Sequence, residues 1–125
     1  MSESRVVHDV LLAIGALPGV LAWRNNTGAL RDVTGRTVRY GSPGSPDILA
    51  VVAGRFVGLE CKTRTGRQPD DQRTWQRACE AAGGIYAVVR SDTDALAVVQ
   101  PLLRVASRDA TVGSCDQPSL PTGTT

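Results

Sequence analysis

Residues 46–62 read Pro-Asp-Ile-Leu-Ala-Val-Val-Ala-Gly-Arg-Phe-Val-Gly-Leu-Glu-Cys-Lys, two apolar runs (Asp47–Val52 and Arg55–Cys61) either side of Ala53-Gly54. Runs of this length around a two-residue loop predict an antiparallel hairpin. Counting back from that loop places Asp47 opposite Glu60. Opposed residues share a face, with Cβ atoms about 4.5–5.5 Å apart. Lys62 is two positions beyond Glu60 and points to the same side, whereas Cys61 points to the other. The hairpin therefore collects two carboxylates and an ammonium group at its open end, beside the loop Gly41-Ser42-Pro43-Gly44-Ser45-Pro46.

Upstream, Val6, Val7, Val10, Leu11, Ile14 and Leu17 recur at helical spacing, predicting a helix from about Ser4 to Leu17 that ends near Pro18-Gly19. Val20–Trp23 is a short strand, Asn25–Gly28 a turn, and Arg36–Tyr40 a second short strand. Downstream, Pro69 opens a helix with Asp70 and Asp71 in its first turn. Trp75, Cys79 and Ala82 form its apolar face and Gly83-Gly84 stops it. Ile85–Val89 is a β-branched strand. A last helix, capped by Ser91 or Asp92, runs to about Val99, where Pro101 breaks it. This order predicts an α/β fold, a small mixed β-sheet flanked by helices. Residues 105–125 are rich in Ser, Thr, Gly and Pro and are expected to form a disordered tail.

The chain has 125 residues, the size of one domain, with 42% apolar and 21% charged residues, which excludes disorder throughout. Aromatics are 4%, too few for a base-stacking platform. Three cysteines (Cys61, Cys79, Cys115) without a C-x-x-C make structural zinc and a disulfide scaffold poor readings. Cys61 and Cys79 read as core thiols and the lone histidine, His8, as a surface or half-buried side chain. The apolar stretch Val10–Trp23 contains Pro18 and is too short to span a bilayer, and no signal-peptide cleavage site is evident. A cytoplasmic protein is expected.

Thirteen arginines accompany a single lysine, Lys62. Net charge is +2, but the positive charge is concentrated. Arg24, Arg31, Arg36 and Arg39 face only Asp32 in residues 24–40, and Lys62, Arg64, Arg67, Arg73 and Arg77 face Asp70 and Asp71 in residues 62–77. Such stretches suit a polyphosphate partner, although each alone could be an ordinary solvated face. Two close carboxylates repel if both ionise, and a divalent cation relieves this. Mg²⁺ is typically held by one or two carboxylates, waters and phosphate oxygens. Lys62 could then orient a water or stabilise charge on phosphorus. The plainer alternative is a surface salt bridge.

Pro46-Asp47, twelve residues, then Glu60-Cys61-Lys62 resembles the PD-(D/E)xK nuclease signature. Trp23-Arg24-Asn25-Asn26-Thr27-Gly28, Gly44-Ser45-Pro46-Asp47-Ile48, Gln72 and Ala81-Ala82-Gly83-Gly84 narrow the likeness. Over about Glu3 to Ser91 the chain is similar to the virus-type replication-repair nuclease (VRR-NUC) domain in its stand-alone, phage-like form. The resemblance implies a restriction-endonuclease-like core, a nuclease domain over residues 1–104, and an intracellular protein of phage or bacterial type that acts in replication, recombination or repair. It implies Asp47, Glu60 and the Cys61 main-chain carbonyl as metal ligands, Lys62 as the catalytic lysine, and Gln72 beside them. The family commonly has a further acid near the start of the first helix. An ungapped match puts Arg5 there, with Glu3 the nearest acid and Asp9 further on, so Glu3 is the candidate. Arg24, Asn25, Asn26, Arg39, Ser45 and Arg64 are the candidate DNA contacts, the asparagines having a turn-forming role as the alternative.

The implied activity is Mg²⁺- or Mn²⁺-dependent endonucleolytic hydrolysis of DNA, selective for branched substrates such as four-way (Holliday) junctions, by a homodimer. In-line attack by a metal-bound water would leave 5′-phosphate and 3′-hydroxyl ends. The alternatives are a non-cleaving DNA-binding module of the same fold and an interaction protein without a nucleic-acid role. No base-reading motif is present, so sequence specificity is not expected.

Overall fold

The structure is a computed structural model that describes the backbone of residues 1–112 and the side chains of residues 1–108. Among the described residues three helices and six strands follow in the order α1 (Glu3–Gly15), β1 (Val20–Arg24), β2 (Gly28–Arg31), β3 (Thr37–Tyr40), β4 (Ile48–Val52), β5 (Arg55–Cys61), α2 (Asp70–Ala81), β6 (Ile85–Val89) and α3 (Asp92–Val112). The main sheet runs β1-β4-β5-β6, and β2-β3 form a separate two-stranded ribbon. The β1–β4 and β4–β5 pairs are antiparallel and β5–β6 is parallel, so the sheet is mixed. This is an α/β fold with a restriction-endonuclease-like core.

Alternation along β4 and β5 decides the layers. Ile48, Ala50 and Val52 of β4 and Val57, Leu59 and Cys61 of β5 turn to one face and are fully buried. They meet Val6, Val10 and Ile14 of α1 and Ala95 and Val99 of α3, which form the main core. Burying these large aliphatic side chains contributes about 1.5–3 kcal/mol each. The register runs from Val52↔Arg55 to Ile48↔Leu59, as predicted from the two-residue turn. Ala53 and Gly54 both have positive φ (48° and 85°), the backbone that a tight primed turn requires.

The opposite face is covered only in part, by α2. No α2 side chain is fully buried. Trp75 lies between Phe56 and Tyr86, with ring centroids 6.4 and 6.0 Å away, and Cys79 is half-buried, while Ala82 is exposed and not part of a buried face. On this face Leu21 of β1, Val51 of β4 and Phe56 of β5 stand in register and are exposed.

Gly28 belongs not to a turn but to β2, opposite Tyr40, whose hydroxyl and ring occupy the space a Cβ would take. The ribbon turn lies instead at Asp32–Gly35, where one Asp32 oxygen accepts from the Thr34 amide and hydroxyl and the Arg36 amide (2.9, 2.6 and 2.9 Å). The last helix does not stop before Pro101 but continues to Val112, so residues 105–112 are helical rather than tail. Leu102 and Leu103, just past the proline, pack against the core. That tertiary burial outweighs the local break. Ser91 caps the helix, its Oγ accepting from the Asp94 amide at 3.1 Å. The remaining tail, residues 113–125 with Cys115, lies outside the described residues.

Candidate metal and phosphodiester site

Pro46 and Asp47 continue β4 beyond its first ladder pair, and local packing holds them there. Pro46 is buried against Gly58 of β5, where an added Cβ would come within 2.7 Å of the proline ring. Glycine at 58 thus lets the loop lie flat on the sheet. Asn25 closes it from the other side: its side-chain amide donates to Ser45 Oγ (2.7 Å) and the Pro46 carbonyl (2.9 Å), and its backbone N–H donates to the Asp47 carbonyl (2.8 Å). Gly44, at φ +79°, packs on the Asp71 carbonyl in the first turn of α2, with no room for a side chain. Ser45 Oγ in turn donates to the Ser42 carbonyl at 2.6 Å.

The Cys61 amide donates to Asp47 Oδ2 at 2.9 Å. In the β4–β5 register the residue facing Cys61 is Pro46, which has no N–H to offer. The Pro46 carbonyl is taken by the Asn25 amide, the Cys61 amide turns to the Asp47 carboxylate, and the proline ring leaves the Cys61 carbonyl without a ladder donor. Glu60 and Lys62 are buried, 3% and 7% exposed. Lys62 Nζ lies 3.5 Å from Glu60 Oε1 and 3.6 Å from Glu3 Oε1, so the start of α1 reaches the same cluster. Gln72 of α2 donates from Nε2 to Glu60 Oε1 at 3.1 Å.

Electrostatics set the state of this cluster. Burial, then the neighbouring Asp47, pushes the Glu60 carboxyl up to about 8, against a smaller opposing pull from Lys62. Burial raises the Cys61 thiol to about 12, with the charge of Asp47 second, so Cys61 serves as a core group and not as a nucleophile. Glu60 Oε2 and Gln72 Oε1 are buried with no hydrogen-bond partner. Two buried acceptors without a donor, beside a second carboxylate, match the ligand chemistry of a hard divalent cation and its waters. No group of three or more His, Cys, Asp or Glu side chains that could hold a metal forms among the described residues. Carboxylate oxygens without His or Cys side-chain ligands are donors of the kind that hold Mg²⁺ or Mn²⁺ rather than zinc.

The structure thus brings together Asp47, Glu60, Cys61, Lys62, Gln72 and Glu3. Asp9 is elsewhere, paired with Arg5 at 3.1 Å. Of the candidate DNA contacts, the side chains of Asn25 and Ser45 are spent on the Pro46 loop. Asn26, Arg24, Arg39 and Arg64 are exposed. Arg24 ends β1, where its charge is felt at Cys61, and Arg39 stands on the β2–β3 ribbon.

Sequence reasoning missed Arg90. Its guanidinium donates to the carbonyls of Thr63 (2.6 Å) and Gly66 (2.8 Å), clamping the loop that follows Lys62. A lone arginine after a strand carries no local signal of that role. No protein-family model matches this sequence, and a comparison with curated proteins returns no match.

Proposed function

We propose that the protein is a divalent-metal-dependent endonuclease that hydrolyses DNA phosphodiester bonds, in the manner of the VRR-NUC domains it resembles, with branched DNA as the preferred substrate. The observation that carries this reading is the cluster of half-buried Asp47 with buried Glu60 and Lys62, which holds an unpartnered Glu60 oxygen and follows a glycine- and proline-rich loop. Asp47, Glu60 and the Cys61 carbonyl would hold the cation, Mg²⁺ or Mn²⁺. When bound, it supplies Lewis acidity to a phosphoryl oxygen.

The chain's own residues do the rest. Lys62 stands where an ammonium can orient an attacking water and stabilise negative charge gathering on phosphorus. Glu3 and Glu60 flank it on two sides and hold it in place. Gln72 fixes the rotamer of Glu60 from α2. The exposed arginines supply phosphate contacts, and two copies of the chain pair to cut opposed strands.

The test uses linear duplex, flap and four-way-junction DNA with Mg²⁺, Mn²⁺ or EDTA. Wild-type protein cuts at least one substrate when a divalent ion is present. Lys62→Met lowers cutting by at least about 100-fold and leaves affinity in EDTA nearly unchanged. Asp47→Asn, which keeps an acceptor for the Cys61 amide, also stops cutting and removes the rise in melting temperature that Mn²⁺ gives the wild type. A wild type that cuts nothing with any divalent ion, yet binds DNA, is instead a non-cleaving module of this fold.

A further inference from the structure

The β2–β3 ribbon is an insertion between two neighbouring strands of the main sheet and pairs with neither of them. An isolated two-stranded ribbon is marginal in water and needs some packing of its own. Here the pairing supplies it on one face: Tyr40 lies over Gly28, and Leu30 stands opposite Val38. The other face holds Arg31 opposite Thr37 and Arg39 opposite Ala29, with no acidic residue at any of these four positions. Asp32, the one acid in the ribbon, is held in the turn by three donors, and its carboxyl lies below the usual range because the Thr34 hydroxyl bonds it.

The roots of the ribbon lead into the candidate site. The chain enters it through Asn25, which pins the Pro46 loop, and leaves it through Gly41–Pro46 to Asp47. Between the roots and the N-terminal turn of α2 is an open cleft of about 310 Å³, lined among others by Ala29, Arg39, Gly44 and Asp71. Gly44 and Asp71 are within three residues of Asp47 and Gln72, respectively.

We propose that the β2–β3 ribbon is a duplex-gripping arm: its Arg31/Arg39 face lies along the phosphate backbone of double-stranded nucleic acid and leads one strand through the cleft to Asp47. A two-stranded ribbon is of the width a duplex groove admits, and arginines at alternate positions of its two strands meet successive phosphates. The arm holds the backbone and reads no bases. Its contribution is affinity and register, not sequence choice. The inference rests on the nuclease reading for its partner but concerns a surface separate from the carboxylates.

The test is binding to a fluorescent duplex in EDTA across a salt series. Arg31→Ala/Arg39→Ala weakens binding and lowers the slope of log affinity against log salt by about two, near one for each phosphate no longer neutralised. Arg31→Lys/Arg39→Lys keeps most of the slope. Arg55→Ala/Arg104→Ala, at the far end of the sheet and on α3, leaves it unchanged. If the Arg31/Arg39 pair behaves as the Arg55/Arg104 pair does while the wild type binds and cuts, the arm proposal falls and the nuclease reading stands. If the wild type shows no salt-dependent affinity for DNA and no cutting, both fall.

Discussion

Glu60 concentrates the tension in this molecule into one carboxyl group. Its burial and the nearby Asp47 favour the protonated form, so its pKa in the fold, about 8, exceeds the 4.5 of a free side chain. Between those values the folded protein keeps a proton that the unfolded chain has released, so stability falls as pH rises. In EDTA, the wild type is expected to lose stability from about pH 4.5 to about pH 8, by an amount on the order of a few kcal/mol. Glu60→Gln, which is neutral throughout, flattens that slope in urea titrations. A wild type that gains stability relative to the variant across this window would contradict the assignment. If the proposed cation site is right, Mn²⁺ is expected to restore the wild type at the upper end, the cation taking the place of the proton. The same residue explains why Gln72 reaches across from α2: an amide donor is compatible with either charge state of its partner.

At the level of elements, one turn holds a strained residue and one helix carries a proline in its interior, and both can be replaced. Ala53 adopts a left-handed conformation with φ 48°, which costs an L-residue about 1–2 kcal/mol. Ala53→Gly therefore stabilises the β4–β5 hairpin by up to about 1 kcal/mol, read as a higher urea midpoint with no change in its denaturant slope. Pro101 stands inside α3, exposed, where it can neither donate to Ala97 nor avoid its carbonyl. Pro101→Ala should add about 1–3 kcal/mol by the same measurement, and an unchanged midpoint would mean that the helix has already bent to accommodate the ring. These positions also mark what the sequence could and could not disclose. The β4–β5 register was legible because a two-residue loop and strict alternation fix the pairing, and with it the meeting of Asp47, Glu60 and Lys62. The length of α3 was not, since the break signal at Pro101 is local while the packing of Leu102 and Leu103 is tertiary. Strand β2 was hidden behind Asn25–Gly28, whose turn-forming residues serve the Pro46 loop and make room for Tyr40 instead. Glu3 could be named only from a resemblance, because its approach to Lys62 depends on how α1 docks over the end of β5. Arg90 had no sequence signal at all.

Across the whole molecule the two faces of the sheet are unequally dressed. One is closed by α1 and α3, whereas α2 leaves Leu21, Val51 and Phe56 exposed in a row across three strands. A second copy of the chain would cover such a row, as the proposed pairing requires, since aliphatic and aromatic side chains at the centre of an interface carry much of its energy. Sedimentation of the wild type should then give twice the chain mass, and Val51→Glu should give the single mass without loss of helical signal. A wild type of single mass would remove this face from the proposal. One feature of the hairpin also governs how the whole chain can tolerate change. Because successive side chains of a strand point to opposite sides, the twelve-residue interval between Asp47 and Glu60 has a parity. Adding two residues at the Ala53-Gly54 turn lengthens both arms equally and keeps the acids facing each other. Adding one residue within β4 or β5 swings an acid into the hydrocarbon layer beneath α1, and the ladder must bulge or the pocket is lost. Insertions are thus counted in twos on one side of Lys62, while the loop after it answers to no alternation and is limited instead by the contacts of Arg90 with Thr63 and Gly66.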